Sequence, residues 1–275
     1  MTKTQRFPRK YWFYVPLVAM LLFYLMPIYV LLTTAFKSFS EVSLSTMWNL
    51  PQGLHFDNFS AAYEKLAPNL WNSVQLVVPG AFLSAAFGSM NGYILAKWKF
   101  PGADLIFPFI LFGMFIPYQS VLIPLVQFMR AVDLYGGIPG LVLVHVIYGL
   151  PITTLTFRNY YASIPSELVE ASRMDGAGLL GTYWWIFLPL SIPAFVVVLI
   201  WQFTSIWNDF LFAVVLTSGE SWPITVALNN IAGSQIVEWN VQMAGSLLAA
   251  LPPLLVYILL GRYFLRGMMA GALKG

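Results

Sequence analysis

Apolar residues gather along this chain in six blocks, each near the ~20 residues that a helix needs to cross the hydrocarbon of a bilayer. They cover 11–32, 71–96, 103–125, 138–157, 190–216 and 244–265. The third, fourth and sixth carry prolines inside or at their edges: Pro108, Pro117, Pro124, Pro151, Pro252 and Pro253. The pattern predicts an all-α polytopic membrane protein of six transmembrane helices, forming a single domain over 1–275.

One polar island breaks the pattern between the fourth and fifth blocks, at 158–193. Inside it, Ile164-Pro165-Ser166-Glu167 reads as a helix start, with an acid where the positive end of the helix favours one. Glu167, Glu170 and Arg173 follow at spacings of three and share one face. Asp175-Gly176-Ala177-Gly178 stops the helix, because glycine reaches backbone angles that other residues avoid. An aromatic-rich piece, 179–187, leads to Leu188-Pro189-Leu190-Ser191-Ile192-Pro193, where the next block begins.

Composition agrees with a lipid environment. The chain is 59% hydrophobic and 9% charged, whereas soluble domains are about a quarter charged. The formal net charge of +3 calls for no nucleic-acid partner; basic residues on one side of a membrane account for it. With the N-terminus inside, eleven cations fall on the inner side: Lys3, Arg6, Arg9, Lys10, Lys97, Lys99, Arg158, Arg173, Arg262, Arg266 and Lys274. Lys37, Lys65 and Arg130 fall outside. Both termini and the island are thus expected in the cytoplasm, with loops 37–70 and 217–243 outside. The first block is too long for a signal peptide and has no small-residue cleavage site.

Several chemistries are excluded or unsupported. No cysteine is present, so there is no disulfide or thiol chemistry, and two histidines make a zinc site a poor fit. Gly176, Gly178 and Gly181 fit G-x-G-x-x-G, but no strand precedes them and 194–200 holds no acid for a ribose. Asn58-Phe59-Ser60 fits a glycosylation sequon, a signal that carries no expected role here. No clustered acid, base and nucleophile suggests an enzyme. Ion-coupled carriers need ionisable midplane groups; Asp104 and Arg262 fall in the end turns of their blocks, and His145 and Asp209 lie further in, both in the outer half.

The order of residues in the island is specific. Glu170-Ala171-Ser172, three residues, Gly176, nine residues, then Ile186-x-Leu188-Pro189 resembles the "EAA" loop of ABC-importer permease subunits. Ser172 departs from the second alanine of that pattern. The ending, from Arg262-Tyr263-Phe264-Leu265-Arg266-Gly267 to Ala270-Gly271-Ala272-Leu273-Lys274-Gly275, resembles carbohydrate-uptake permeases of the maltose-transporter type. So do Trp207-Asn208-Asp209-Phe210 and Glu238-Trp239-Asn240, while 207–230 is similar to glucose/mannose importers. The resemblance implies that the island holds a cytoplasmic coupling helix lodged in a cleft of a separate ATPase. Glu167, Glu170, Ala171, Ser172, Asp175, Gly176, Ala177, Leu188 and Pro189 would make or shape that contact.

No phosphate loop of the G-x-x-x-x-G-K-[ST] kind occurs in the chain. ATP and Mg2+ are therefore expected in the partner, with no cofactor here. The resemblance further implies two copies of a cytoplasmic ABC ATPase, a second, related permease subunit and an extracytoplasmic solute-binding protein. A homodimer stays open. Uncharged sugars are held by stacked aromatics and by amide or hydroxyl hydrogen bonds. Asn91, Tyr118, Gln119, Tyr148, Gln202, Trp207 and Asn208 are the candidates on the apolar blocks. The alternatives are an ABC permease for a non-sugar solute and an ATP-independent channel or carrier.

Overall fold

The structure is a computed structural model describing residues 12–233 and 237–272, with the side chains of Arg262 and 264–272 left aside. Lys3, Arg6, Arg9, Lys10 and Lys274 lie outside the described residues. Apart from an isolated bridge between Gly136 and Thr217, regular structure among the described residues is helical. The helices are α1 Tyr14–Ala35, α2 Asp57–Lys97, α3 Ala103–Phe112, α4 Tyr118–Ala131, α5 Ile138–Ala162 and α6 Glu167–Met174. They continue with α7 Leu179–Thr182, α8 Leu188–Leu190, α9 Ile192–Trp207, α10 Leu211–Leu216, α11 Ile224–Ala232 and α12 Trp239–Ala272.

Among the described residues, four helices are long and apolar enough to cross a membrane, and two bent pairs bring the number to as many as six. The third and fifth blocks are therefore not single rods. Ala103–Phe115 and Tyr118–Ala131 meet at 98°. Pro117 forces the residue before it into extended geometry, and Ile116 has ψ 116°. Leu179–Leu190 and Ile192–Trp207 meet at 76°, around Ser191. The fifth block ends early as well: the helix stops at Trp207 and resumes only at Leu211. The other helices outrun the apolar blocks, because polar first and last turns carry no hydropathy signal. Helix α2 begins at Asp57 rather than near residue 71, and α5 runs to Ala162.

Two compact units are present: 12–66 with 230–233 and 237–248, and 67–229 with 249–272. In the first, Ala35, Ala62, Val241 and Ala244 form a small core. Asn58 joins its parts. Its amide donates to the carbonyls of Ala35 at 2.9 Å and Lys37 at 2.8 Å, and its oxygen accepts from Asn240 at 2.8 Å. The sequon asparagine is thus buried and fully engaged. Lys37, 1% exposed, turns its ammonium onto the carbonyls of Thr46 and Met47, so a cation of the 37–70 loop is a structural strut.

In the second unit α2 and α5 touch backbone to backbone. Gly80, Ser84, Gly88 and Gly92 recur every fourth residue and share one face of α2. A Cβ on Gly92 would lie 2.6 Å from the Arg158 nitrogen and 2.7 Å from the Phe157 Cβ. One on Gly88 would overlap the Thr153 side chain. Small residues at this spacing let membrane helices approach closely enough for dispersion contacts to hold them. Gly92→Leu is expected to cost about 1–3 kcal/mol of stability by overpacking. A lowered thermal midpoint in detergent would show it, and a midpoint equal to wild type would contradict the close approach.

Candidate functional site

The island folds as a helix pinned from both sides. Helix α6 buries Val169 and Ser172 and exposes Glu167, Glu170, Ala171 and Asp175. Gly176 and Pro189 are exposed too, while Ala177 and Leu188 are half-buried. None of Glu167, Glu170 or Asp175 forms an ion pair among the described residues.

The end of α6 is a Schellman motif. Ala177 N–H donates to the Ser172 carbonyl at 2.8 Å and Gly176 N–H to the Arg173 carbonyl at 3.0 Å. Gly176 has φ +83°, and a methyl added to it would meet nothing within 4 Å. Glycine is required here by backbone conformation and not by space.

Ser172, the departure from the family pattern, has its own task. Its hydroxyl lies 2.8 Å from Thr182 Oγ1 and donates to the Val169 carbonyl at 2.8 Å. It ties α6 to α7 across the turn.

Beneath the helix lies an aromatic plug. Val169 packs in one core with Tyr93 of α2, Phe157 and Tyr161 of α5, and Tyr183 and Phe187 beyond α7. The ring centroids of Tyr93 and Phe187 are 4.9 Å apart, and those of Tyr93 and Tyr183 5.3 Å. Hydroxyls thread the plug. Ser89 lies 2.6 Å from the Tyr161 hydroxyl and 3.0 Å from that of Tyr183. Tyr161 donates to Ser191 Oγ at 3.0 Å, and Tyr160 to the Leu190 carbonyl at 2.7 Å. Lys97, ending α2, donates to the Ile164 carbonyl. Arg173 stacks over Trp98 at 4.3 Å.

Between Thr182 and Leu188 the chain makes a π turn, Tyr183–Phe187. Pro189 has no N–H, and its ring presses on the carbonyl four residues earlier, at Trp185. The widened turn contains that residue, and such turns are frequent at functional sites.

A second feature is a cavity of about 500 Å³ among α4, α5, α9 and α10. Of the sugar-contact candidates, Tyr118, Tyr148, Gln202 and Asn208 line it, joined by Trp201, Ser205, His145 and Asp209. Gln202 Nε2 donates to the Gly149 carbonyl at 3.3 Å, and Asn208 to the Thr204 carbonyl at 2.9 Å. Asn91 and Gln119 do not line the cavity. Trp207 is buried, with its indole N–H on the Ala249 carbonyl at 3.1 Å and its ring stacked on Phe203; it is a packing residue. Phe212 is absent from the sequence-derived candidates, though its ring sits 5.0 Å from that of Tyr148 and 5.6 Å from that of Tyr118.

Comparison with known proteins fixes the family. Residues 88–269 match the binding-protein-dependent transport system inner membrane components. The chain belongs to that family. A probable ABC transporter permease protein of Pyrococcus horikoshii is 44% identical, over 98% of each chain. The xylose/arabinose import permease protein of Haloferax volcanii is 34% identical, over 94% of this chain and 92% of that one. The glucose import system permease protein of Saccharolobus solfataricus is 31% identical over the same shares. A solved bacterial ABC transporter involved in import of the acidic polysaccharide alginate has the same fold. Its TM-score is 0.80 at 24% identity, over 95% of this permease and all of that chain. The matched span, 88–269, includes both the plug and the cavity of this permease.

The Ser172–Thr182 bond invites a direct test. Ser172→Ala restores the family's small apolar residue but leaves the buried Thr182 hydroxyl without its partner, at about 1–3 kcal/mol. Adding Thr182→Val should recover most of the lost thermal stability. Two single losses that simply add in the double variant would show that the hydroxyls do not interact.

Proposed function

We propose that the chain is a membrane-spanning subunit of an ATP-driven sugar importer, moved by a separate ATPase through the 158–193 loop. The observation that carries this reading is α6: a short helix with acids on its exposed face, stopped by a Schellman glycine and backed by the aromatic plug. A surface of that kind can receive a push and pass it on, since packed interiors shift as units rather than deform. Glu167 and Glu170 would meet cations of the partner, while Ala171, Ser172, Asp175, Gly176 and Ala177 shape the contact. Leu188 and Pro189 would form the joint to α9.

In this reading both termini and the loop are cytoplasmic, in the inner membrane of a bacterium or archaeon. Two ATPase copies carry ATP and Mg2+, a second related permease subunit completes the pathway, and an extracytoplasmic binding protein delivers the solute. Rocking of the helices would open the pathway to one side and then the other. The names of the xylose/arabinose and glucose relatives support sugar as the cargo. The cavity supports it too, with aromatic rings beside amide groups.

The test is sugar uptake by cells carrying the complete transporter. Glu170→Ala and Gly176→Pro should each leave the protein in the membrane at wild-type level. Each should cut uptake at least about tenfold, as expected for loss of one partner of a partly desolvated ion pair or of the helix stop. Full uptake by both variants would remove the loop from the mechanism.

A further inference from the structure

The polar end of the cavity holds an arrangement that packing alone leaves unexplained. Asp209 sits in the break between α9 and α10, its carboxylate accepting from the N–H groups of Phe212 at 3.3 Å and Ala213 at 2.9 Å. These bonds fix its position as the cap of α10. Opposite it, His145 of α5 is 8% exposed and points Nε2 toward Asp209 Oδ2 at 3.3 Å. The two atoms are close enough for an ion pair but are not aligned for a hydrogen bond, and Nε2 has no hydrogen-bond partner among the described residues. A buried imidazole nitrogen without a partner is costly. The residue that carries it belongs to the cavity lining, beside Tyr118 and Tyr148.

Charge along the wall is one-sided. Asp209 is the acid among the lining residues, and among the described residues no lysine or arginine lines the cavity. A hydroxyl-bearing ring stacked against Phe212 and Tyr148 could satisfy His145 Nε2 with one oxygen and donate to the Asp209 carboxylate with another. An anionic ring would bring its carboxylate toward Asp209 with no cation in the cavity wall to offset the repulsion.

We infer that His145 and Asp209 form a hydroxyl-binding subsite in this chain's own cavity, and that Asp209 is a specificity-determining residue favouring neutral or cationic sugars over uronates. The inference rests on the sugar reading above and adds the charge class of the cargo.

D-Glucose, D-glucosamine and D-glucuronate share one ring and differ in charge, so they are suitable probes. Binding of each, radiolabelled, would be measured on the full-length chain in lipid nanodiscs. Wild type should bind glucuronate at least about tenfold more weakly than glucose, and glucosamine no more weakly than glucose. Asp209→Asn keeps an oxygen to cap α10 and should bring glucuronate to within about threefold of glucose, whereas Asp209→Glu should keep the gap. His145→Phe, which fills the same space without a nitrogen, should weaken glucose binding. If Asp209→Asn does not fold, Asp209→Ser caps the helix without the charge and replaces it. Equal binding of glucose and glucuronate by wild type, or a gap untouched in Asp209→Asn, would overturn the inference and leave the sugar reading standing. Failure of a folded wild-type chain to bind any of the three would overturn the subsite, whereas the sugar reading falls only to the uptake test on the complete transporter.

Discussion

Tyr161 has no exposed surface, and its hydroxyl joins three parts of the chain: α2 through Ser89, the π turn through Ser89 and Tyr183, and the break before α9 through Ser191. In a largely apolar interior a hydroxyl must be paired, because an unpaired one costs more than the bond returns. Val169 then seats α6 on this plug, so the exposed acids of the loop stand on a support shared by α2, α5 and the start of α9. The arrangement has few soft degrees of freedom between the surface of α6 and the membrane helices.

Rigidity in the plug is complemented by breaks at defined places. Pro117 bends the third segment and Ser191, between Pro189 and Pro193, bends the fifth. Both bends put non-helical backbone where a straight span would have none, which is tolerated in a bilayer only where protein or a cavity covers it. The cavity lies at the first bend, which Tyr118 follows, and at the interruption of the helix from Asn208 to Phe210, while Ser191 at the second bend is buried in protein. Close contact of α2 and α5 through Gly88 and Gly92 leaves little freedom between those two helices.

Much of this is legible in the residues. Helix content and the apolar segments follow from hydropathy, and the stop at Gly176 from the positive-φ requirement of a helix end. Ser172 can be recognised only as a departure from a pattern; its bond to Thr182 depends on a turn that brings residues ten apart together. The bends are harder to see because a proline in an apolar run is compatible with a kink or a full break, and hydropathy does not distinguish them. The stripe of Gly80, Ser84, Gly88 and Gly92 has a readable spacing of four. It escapes a hydropathy reading because small residues add little to an apolar count. Phe212 stays hidden as a cavity residue since an aromatic in an apolar block gives no sign of which side it faces. Trp207 misleads for the same reason: its residue type suits a sugar contact, but its indole N–H is already taken by Ala249.

The central claim is that α6 and the membrane helices beneath it move as one body. The chain has no cysteine, so a spin-label pair introduced at Ala171 and Asn159 would report one distance between the loop and α5. Pulsed electron–electron resonance on the assembled transporter, with and without ATP, is the measurement. The account predicts a single narrow distance distribution that is the same in both states. A distribution that broadens or shifts on ATP addition would show that the loop slides over the plug instead of carrying it.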